Sequence, residues 1–227
     1  MRIRLTYEEY DMELGVMLEQ LLSGFASSLG IFLWTIVLAI PFGFVVCFGR
    51  MSKIKIISLI VKIYIDIMRG TPLMLQLLVW YFGPYYIFGA TLSQQYRFIA
   101  IVLGFVFNYA AYFAEIYRSG IQSMSIGQYE AAKLLGYSRQ QTFMKIILPQ
   151  VIKRVLPAMT NEVITLVKDT SLAYAIAYSE LFAITKQIAA AQTSFMPFII
   201  AAIFYFVFNY IVSAIMNLIE KKLGYYQ

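Results

Sequence analysis

The sequence predicts an all-α membrane protein of five transmembrane helices, the second and fourth of them broken, with a long helical loop on the cytoplasmic side. Three observations carry that prediction. Of 227 residues, 61% are hydrophobic and only 13% charged, against roughly 45–50% and 25% in soluble domains. Long apolar runs recur at lengths suited to a ~30 Å hydrocarbon core, which takes about 20 helical residues. Lysine and arginine gather in alternate connections between those runs, the bias that sets membrane orientation. A disordered chain, a disulfide scaffold and a soluble α/β enzyme all fit this composition poorly. The single Cys47 permits no intramolecular disulfide or thiolate zinc cluster, and the lack of histidine removes the commonest metal ligand and general base. No metal site is expected.

Residues 1–20 hold five acidic residues and no long apolar core, which argues against a signal peptide and for a short amphipathic lead-in. Residues 21–49 carry no charge and suffice for the first span. Residues 54–88 form the second, interrupted by Lys62, Asp66 and Arg69, with a predicted bend or break at Gly70-Thr71-Pro72. The third, 98–114, ends at Glu115 and Arg118. The fourth, 155–185, contains Glu162, Lys168, Asp169 and Glu180 and is long enough for two helices. Residues 187–219 are uncharged and supply the fifth, with Pro197 near its start. No repeat or Gly/Ser- or Pro-rich linker interrupts the chain, so 21–222 reads as one transmembrane domain, followed by a tail over 223–227.

Arg50, Lys53 and Lys55 follow the first span, whereas Arg97 alone follows the second. Arg118, Lys133, Arg139, Lys145, Lys153 and Arg154 separate the third and fourth spans, Lys186 follows the fourth, and Lys221 and Lys222 follow the fifth. The alternation predicts an N-terminus outside and a C-terminus in the cytoplasm. The net charge of +6 is therefore a topology signal, and no nucleic-acid partner is expected.

The loop at about 119–154 is longer than a membrane turn requires. Its composition predicts two helical segments, 126–135 and 138–147, with Gly136 as a C-cap or turn residue between them. Glu130 sits near the first segment's positive N-terminal end, and Pro149 is expected to close the second. By composition alone this is an ordinary amphipathic loop. Glu130-Ala131-Ala132, three residues, Gly136, nine residues and Ile146-x-Leu148-Pro149 nevertheless resemble the EAA signature of ABC importer permeases.

That resemblance runs from about Ser27 to Lys222. Arg69-Gly70-Thr71-Pro72-Leu73, Glu115-x-x-Arg118-x-Gly120-Ile121, Gly127-Gln128-x-Glu130, Asn161-Glu162 and Lys168-Asp169-Thr170-Ser171-Leu172 look like permeases for polar amino acids. The resemblance implies a multi-pass subunit of a bacterial cytoplasmic membrane, working with a second permease chain, an ATPase dimer and an extracytoplasmic substrate-binding protein. It also implies that Glu130, Ala131, Ala132 and Gly136 belong to helices that dock on the ATPase. The chain has no G-x-x-x-x-G-K-[ST] phosphate loop, so ATP and Mg are expected in the partner and no cofactor in this chain.

Charged groups at membrane depth are costly and face a protein interior or an aqueous path. Lys62, Asp66 and Arg69 share one helix face. They read either as an intrahelical ion-pair ladder or, for Arg69 beside the break, as a gate or substrate-carboxylate contact. Glu162 and Asp169 lie two turns apart, beside Asn161, Thr165 and Lys168. They read as packing between helices or, for Glu162, as a contact to a substrate ammonium or cationic side chain. Glu115 reads as the partner of Arg118 or as a cavity contact, and Thr71 and Met68 as further candidates. Asn108, Asn209 and Asn217 are candidates for hydrogen bonds between helices, and Tyr81, Tyr85 and Tyr86 for an outer aromatic belt. The acidic residues Asp66, Glu115, Glu162, Asp169 and Glu180 motivate a lean toward basic amino acids, offset by Lys62, Arg69 and Lys168. The alternatives are an importer of another small solute, an ion-coupled transporter relaying protons through Asp66, Glu115 and Glu162, and a membrane-embedded enzyme working without histidine.

Overall fold

The computed structural model describes the backbone of residues 2–223 and the side chains of residues 14–223. The amphipathic character expected of residues 1–20 thus rests largely on side chains outside the described residues, as does the tail from 224 onward. Among the described residues the elements are α1 (Arg2–Arg50), α2 (Lys55–Gly70), α3 (Leu73–Phe88), α4 (Gln94–Gln122), α5 (Ile126–Leu134), α6 (Arg139–Gln141), α7 (Leu148–Asp169), α8 (Leu181–Gln192) and α9 (Met196–Leu223). A π-helical segment, Thr142–Ile147, joins α6 to α7, and a 3-10 segment, Thr170–Ile176, follows α7. Among the described residues three helices are long and apolar enough to cross a membrane: Leu14–Arg50, Gln94–Gln122 and Met196–Leu223. Helix α3 is apolar but shorter.

The second apolar stretch is divided into α2 and α3 at Thr71-Pro72. Pro72 has no N–H to give the carbonyl four residues back, which is that of Met68. The side-chain amide of Asn108 on α4 donates to that oxygen at 2.9 Å, so the orphaned acceptor is satisfied by another helix. The fourth stretch also breaks: α7 gives way to the 3-10 segment, which ends at Ala177 with φ +54°.

The chain clusters into two compact units within the stretch read as one domain. One comprises, of the described residues, 2–34, 73–104 and 166–210. Its core joins Met17 and Leu21 of α1 to Leu181 and Ile188 of α8 and Ala201 of α9. Phe25 and Phe32 meet Phe208 edge-on, with ring centres 5.2 and 5.1 Å apart. Here Glu180 is fully buried and caps α8, accepting from the N–H groups of Phe182 and Ala183 at 2.8 and 2.7 Å. The Tyr205 hydroxyl donates to it at 3.2 Å and that of Ser28 at 3.4 Å. Glu180 is therefore a structural cap, which withdraws it from the acidic residues that suggested a basic substrate. Tyr81 is buried rather than placed in an aromatic belt. Its hydroxyl accepts from Arg97, whose Nη1 also donates to the Ala177 carbonyl at 2.9 Å. Tyr85 and Tyr86 are exposed.

The other unit comprises, of the described residues, 35–72, 105–165 and 211–223. Its centre is a ladder of rings on α4, Phe105, Tyr109, Phe113 and Tyr117, spaced four residues apart so that each overlies the next. Phe44 of α1 stacks on Tyr117 at 4.0 Å. Helices α4 and α7 approach closely at Gly120: a Cβ there would lie 2.3 Å from a methyl of Val155.

Pro149 does not close the second loop segment. The π-helical turn before it runs directly into α7, and Leu148 donates to the Phe143 carbonyl five residues back. That wider turn lets the helix pass a proline that offers no donor.

Candidate functional site

Within the second unit, a cavity of about 430 Å³ opens between α2, α4 and α7. Its charged lining is Arg69 from α2, Glu115 and Arg118 from α4, and Arg154 and Glu162 from α7. Three of the residues singled out from sequence as substrate contacts, Arg69, Glu115 and Glu162, are brought together here. Arg118 grips Glu115 one helical turn back, with Nε 2.9 Å from Oε1, and also donates to Gln122 at 2.7 Å. Arg69 stands 3.9 Å from the same carboxylate, its side chain 44% exposed, and lies over the Tyr112 ring at 5.3 Å. Glu115 is thus shared between one arginine held by hydrogen bonds and a second held loosely.

The intrahelical ladder on α2 is not formed among the described residues: Asp66 makes no ion pair with Lys62 or Arg69, and Arg69 turns to Glu115 on α4 instead. Asp66 and Asn161 are exposed outside the cavity. Thr71 is exposed too, and its hydroxyl donates to the Ile67 carbonyl at 2.8 Å. Asp169 belongs to the other unit. Arg154, absent from the sequence candidates, lines the cavity and donates to the Ser123 carbonyl at the end of α4 at 2.8 Å. Its sequence signal was only that of a loop cation.

The loop that follows α4 is ordered by specific caps. Tyr137 N–H donates to the Ala132 carbonyl and Gly136 N–H to that of Lys133, each at 3.0 Å, the paired bonds that close a helix C-terminus. The geometry requires a positive φ, which Gly136 supplies at +82°. Ser138 then starts α6 with a capping box: its hydroxyl accepts from Gln141 N–H, and the Gln141 side chain accepts from Ser138 N–H at 2.9 Å. The end of α5 that leads into these caps is apolar and open, with Leu134 89% and Leu135 77% exposed. Glu130, Ala131 and Gly136 are exposed, whereas Ala132 is buried against the chain's own interior.

A sequence profile for the family described as "binding-protein-dependent transport system inner membrane component" matches residues 35–225. The probable amino-acid ABC transporter permease protein YckA of Bacillus subtilis (strain 168) is 40% identical over 185 residues, 81% of this chain and 80% of the relative. The arginine transport system permease protein ArtQ of the same organism is 34% identical over 204 residues, covering 89% and 92% of the two chains. Among solved structures, an amino acid ABC transporter crystallised with histidines superposes with a TM-score of 0.84 at 33% identity, covering 93% of this chain and 97% of that one.

Proposed function

We propose, from the premise that this chain belongs to the family of binding-protein-dependent transport system inner membrane components, that it is the permease subunit of an ABC importer and that its cargo is an amino acid. One observation carries the proposal. The cavity of opposite charges and the capped, open-tipped loop are built on the same pair of helices, α4 and α7.

An amino acid presents a carboxylate and an ammonium. Arg69, held only at 3.9 Å by Glu115, is the group placed to exchange that partner for a substrate carboxylate, while Glu162 on α7 serves the ammonium or a cationic side chain. Asp66, Thr71, Asn161 and Asp169 follow as contacts of another state in the cycle, since alternating access requires different contacts in each state. In this reading the chain crosses five times, with the halves α2/α3 and α7/α8 as the broken second and fourth spans, and the Lys/Arg bias argues for an N-terminus outside and the 119–154 loop in the cytoplasm. Glu130, Ala131 and Gly136 on its exposed side meet the ATPase, and Ala132 supports them from within. Two permease chains, an ATPase dimer holding ATP and Mg, and a binding protein complete the assembly in the cytoplasmic membrane.

The test is co-purification of the tagged chain with its ATPase, mass spectrometry of any retained ligand, and uptake of a radiolabelled amino-acid mixture in proteoliposomes. The expected result is an ATPase in the preparation, ATP-dependent uptake, and its loss in Glu162→Gln although that variant still binds the ATPase. ATP-independent uptake would overturn the importer reading, and wild-type uptake by Glu162→Gln would remove that residue from the path.

A further inference from the structure

Gln128 lies in the first turn of α5 and Gln150 in the first turn of α7, both half-buried. Their side-chain amides are paired reciprocally. Gln128 Nε2 donates to Gln150 Oε1 at 2.9 Å, and Gln150 Nε2 donates back to Gln128 Oε1 at 3.1 Å. The second hydrogen of Gln150 goes to the Ile146 carbonyl at 2.7 Å, in the π-helical turn. Both donor hydrogens of Gln150 are therefore used, one toward α5 and one toward its own helix. A lone polar contact on a loop helix would have no such closure.

We infer that the Gln128–Gln150 amide pair is a positioning device that makes the 128–150 loop move as one body with α7, and so links ATPase docking to the cavity. The loop is otherwise a long excursion. Between the two glutamines the chain runs out to the exposed Leu134 and Leu135 and returns. A force on that tip would bend the excursion unless its base were fastened. The amide pair fastens the base directly to the helix that carries Glu162. Gln150 and Glu162 are separated by twelve residues of α7, about 18 Å of helix at 1.5 Å per residue. Below the pair, Arg154 binds the Ser123 carbonyl and Val151 and Val155 pack on Gly120, so α4 moves with the same base. The loop sequence motif accounts for docking. The amide pair accounts for how a displacement at the tip reaches the cavity.

This inference rests on the importer reading, and the experiment separates the two. The assembled transporter with its ATPase and binding protein is reconstituted with wild-type chain, Gln150→Leu, Gln128→Leu, or the double variant Gln128→Glu/Gln150→Lys, which replaces the amide pair by an ion pair. Uptake of the radiolabelled amino-acid mixture and ATP hydrolysis are measured in the same vesicles. Each single variant is expected to retain the ATPase while uptake per ATP hydrolysed falls about tenfold or more, the scale of losing the two bonds between the amides, with Gln150→Leu also losing the bond to Ile146. The double variant is expected to recover most of that ratio, which a purely structural defect would not. Gln128→Leu leaves the Gln150–Ile146 bond intact and carries the measurement if Gln150→Leu fails to assemble. A wild-type ratio in the single variants, or no recovery in the double variant, overturns the inference. Absence of any ATPase from the wild-type preparation overturns the importer reading instead.

Discussion

At the scale of single residues, Glu180 shows how far a charge can be from the role its type suggests. Its carboxylate accepts two backbone N–H bonds that a helix start would otherwise leave orphaned, with hydroxyls of Ser28 and Tyr205 directed at the same group. Glu180→Ala removes the cap and leaves those donors buried without an acceptor. Its cost should be about 2–4 kcal/mol, a helix-cap loss plus unsatisfied polar groups, read as a lower thermal unfolding midpoint in detergent. Glu180→Gln keeps one carbonyl acceptor of the same shape and should lose less than half as much. Equal losses in the two variants would mean that charge, not capping, holds the group. Nothing local in the sequence foretells this environment, because Ser28 lies 152 residues away. Arg69 and Glu115 were legible as candidates because charges in apolar runs are conspicuous, but their pairing was not. The ladder expected on α2 assumed partners one turn apart, and the nearer carboxylate came from α4.

At the scale of elements, α4 and α7 come together at Gly120. A methyl group there would meet Val155 at 2.3 Å and Val151 at 3.2 Å, so Gly120→Ala must drive the two helices apart or force the valines off their rotamers. Overpacking of this kind costs about 1–3 kcal/mol. Since the same pair flanks the cavity, uptake should fall together with the unfolding midpoint. Val155→Ala removes the methyl that clashes and should restore much of both when combined with Gly120→Ala. Failure of the double variant to recover would show that Gly120 is needed for its backbone rather than its size. Elements were read well where a backbone rule applies. Pro72 cannot donate and Gly136 can adopt a positive φ, so the break and the loop turn were both visible in the sequence. Pro149 obeys the first rule and still does not end its helix, because the π-helical turn ahead of it absorbs the missing donor. Gln150, one residue beyond that proline, is meanwhile paired with Gln128 twenty-two residues earlier, a contact that no local window contains.

At the scale of the whole molecule, the exposed apolar side chains of α9, among them Phe206, Tyr210 and Leu218, demand a bilayer or another chain, and orientation in that bilayer decides whether the loop can reach an ATPase. The positive-inside bias predicts Thr91, between α3 and α4, on the outside and Leu134, at the loop tip, in the cytoplasm. One cysteine is present, Cys47, and it is buried. Replacing it by serine gives a background into which Thr91→Cys or Leu134→Cys can be introduced at exposed positions. A membrane-impermeant maleimide should label Thr91→Cys on intact protoplasts and leave Leu134→Cys untouched, and inside-out vesicles should show the reverse. Helix α4 is the one candidate span between the two sites, so labelling of both from one face would exclude α4 as a crossing. Inverted labelling would leave the crossings in place but turn the docking loop away from the cytoplasm, and with it any route by which ATP hydrolysis reaches the cavity.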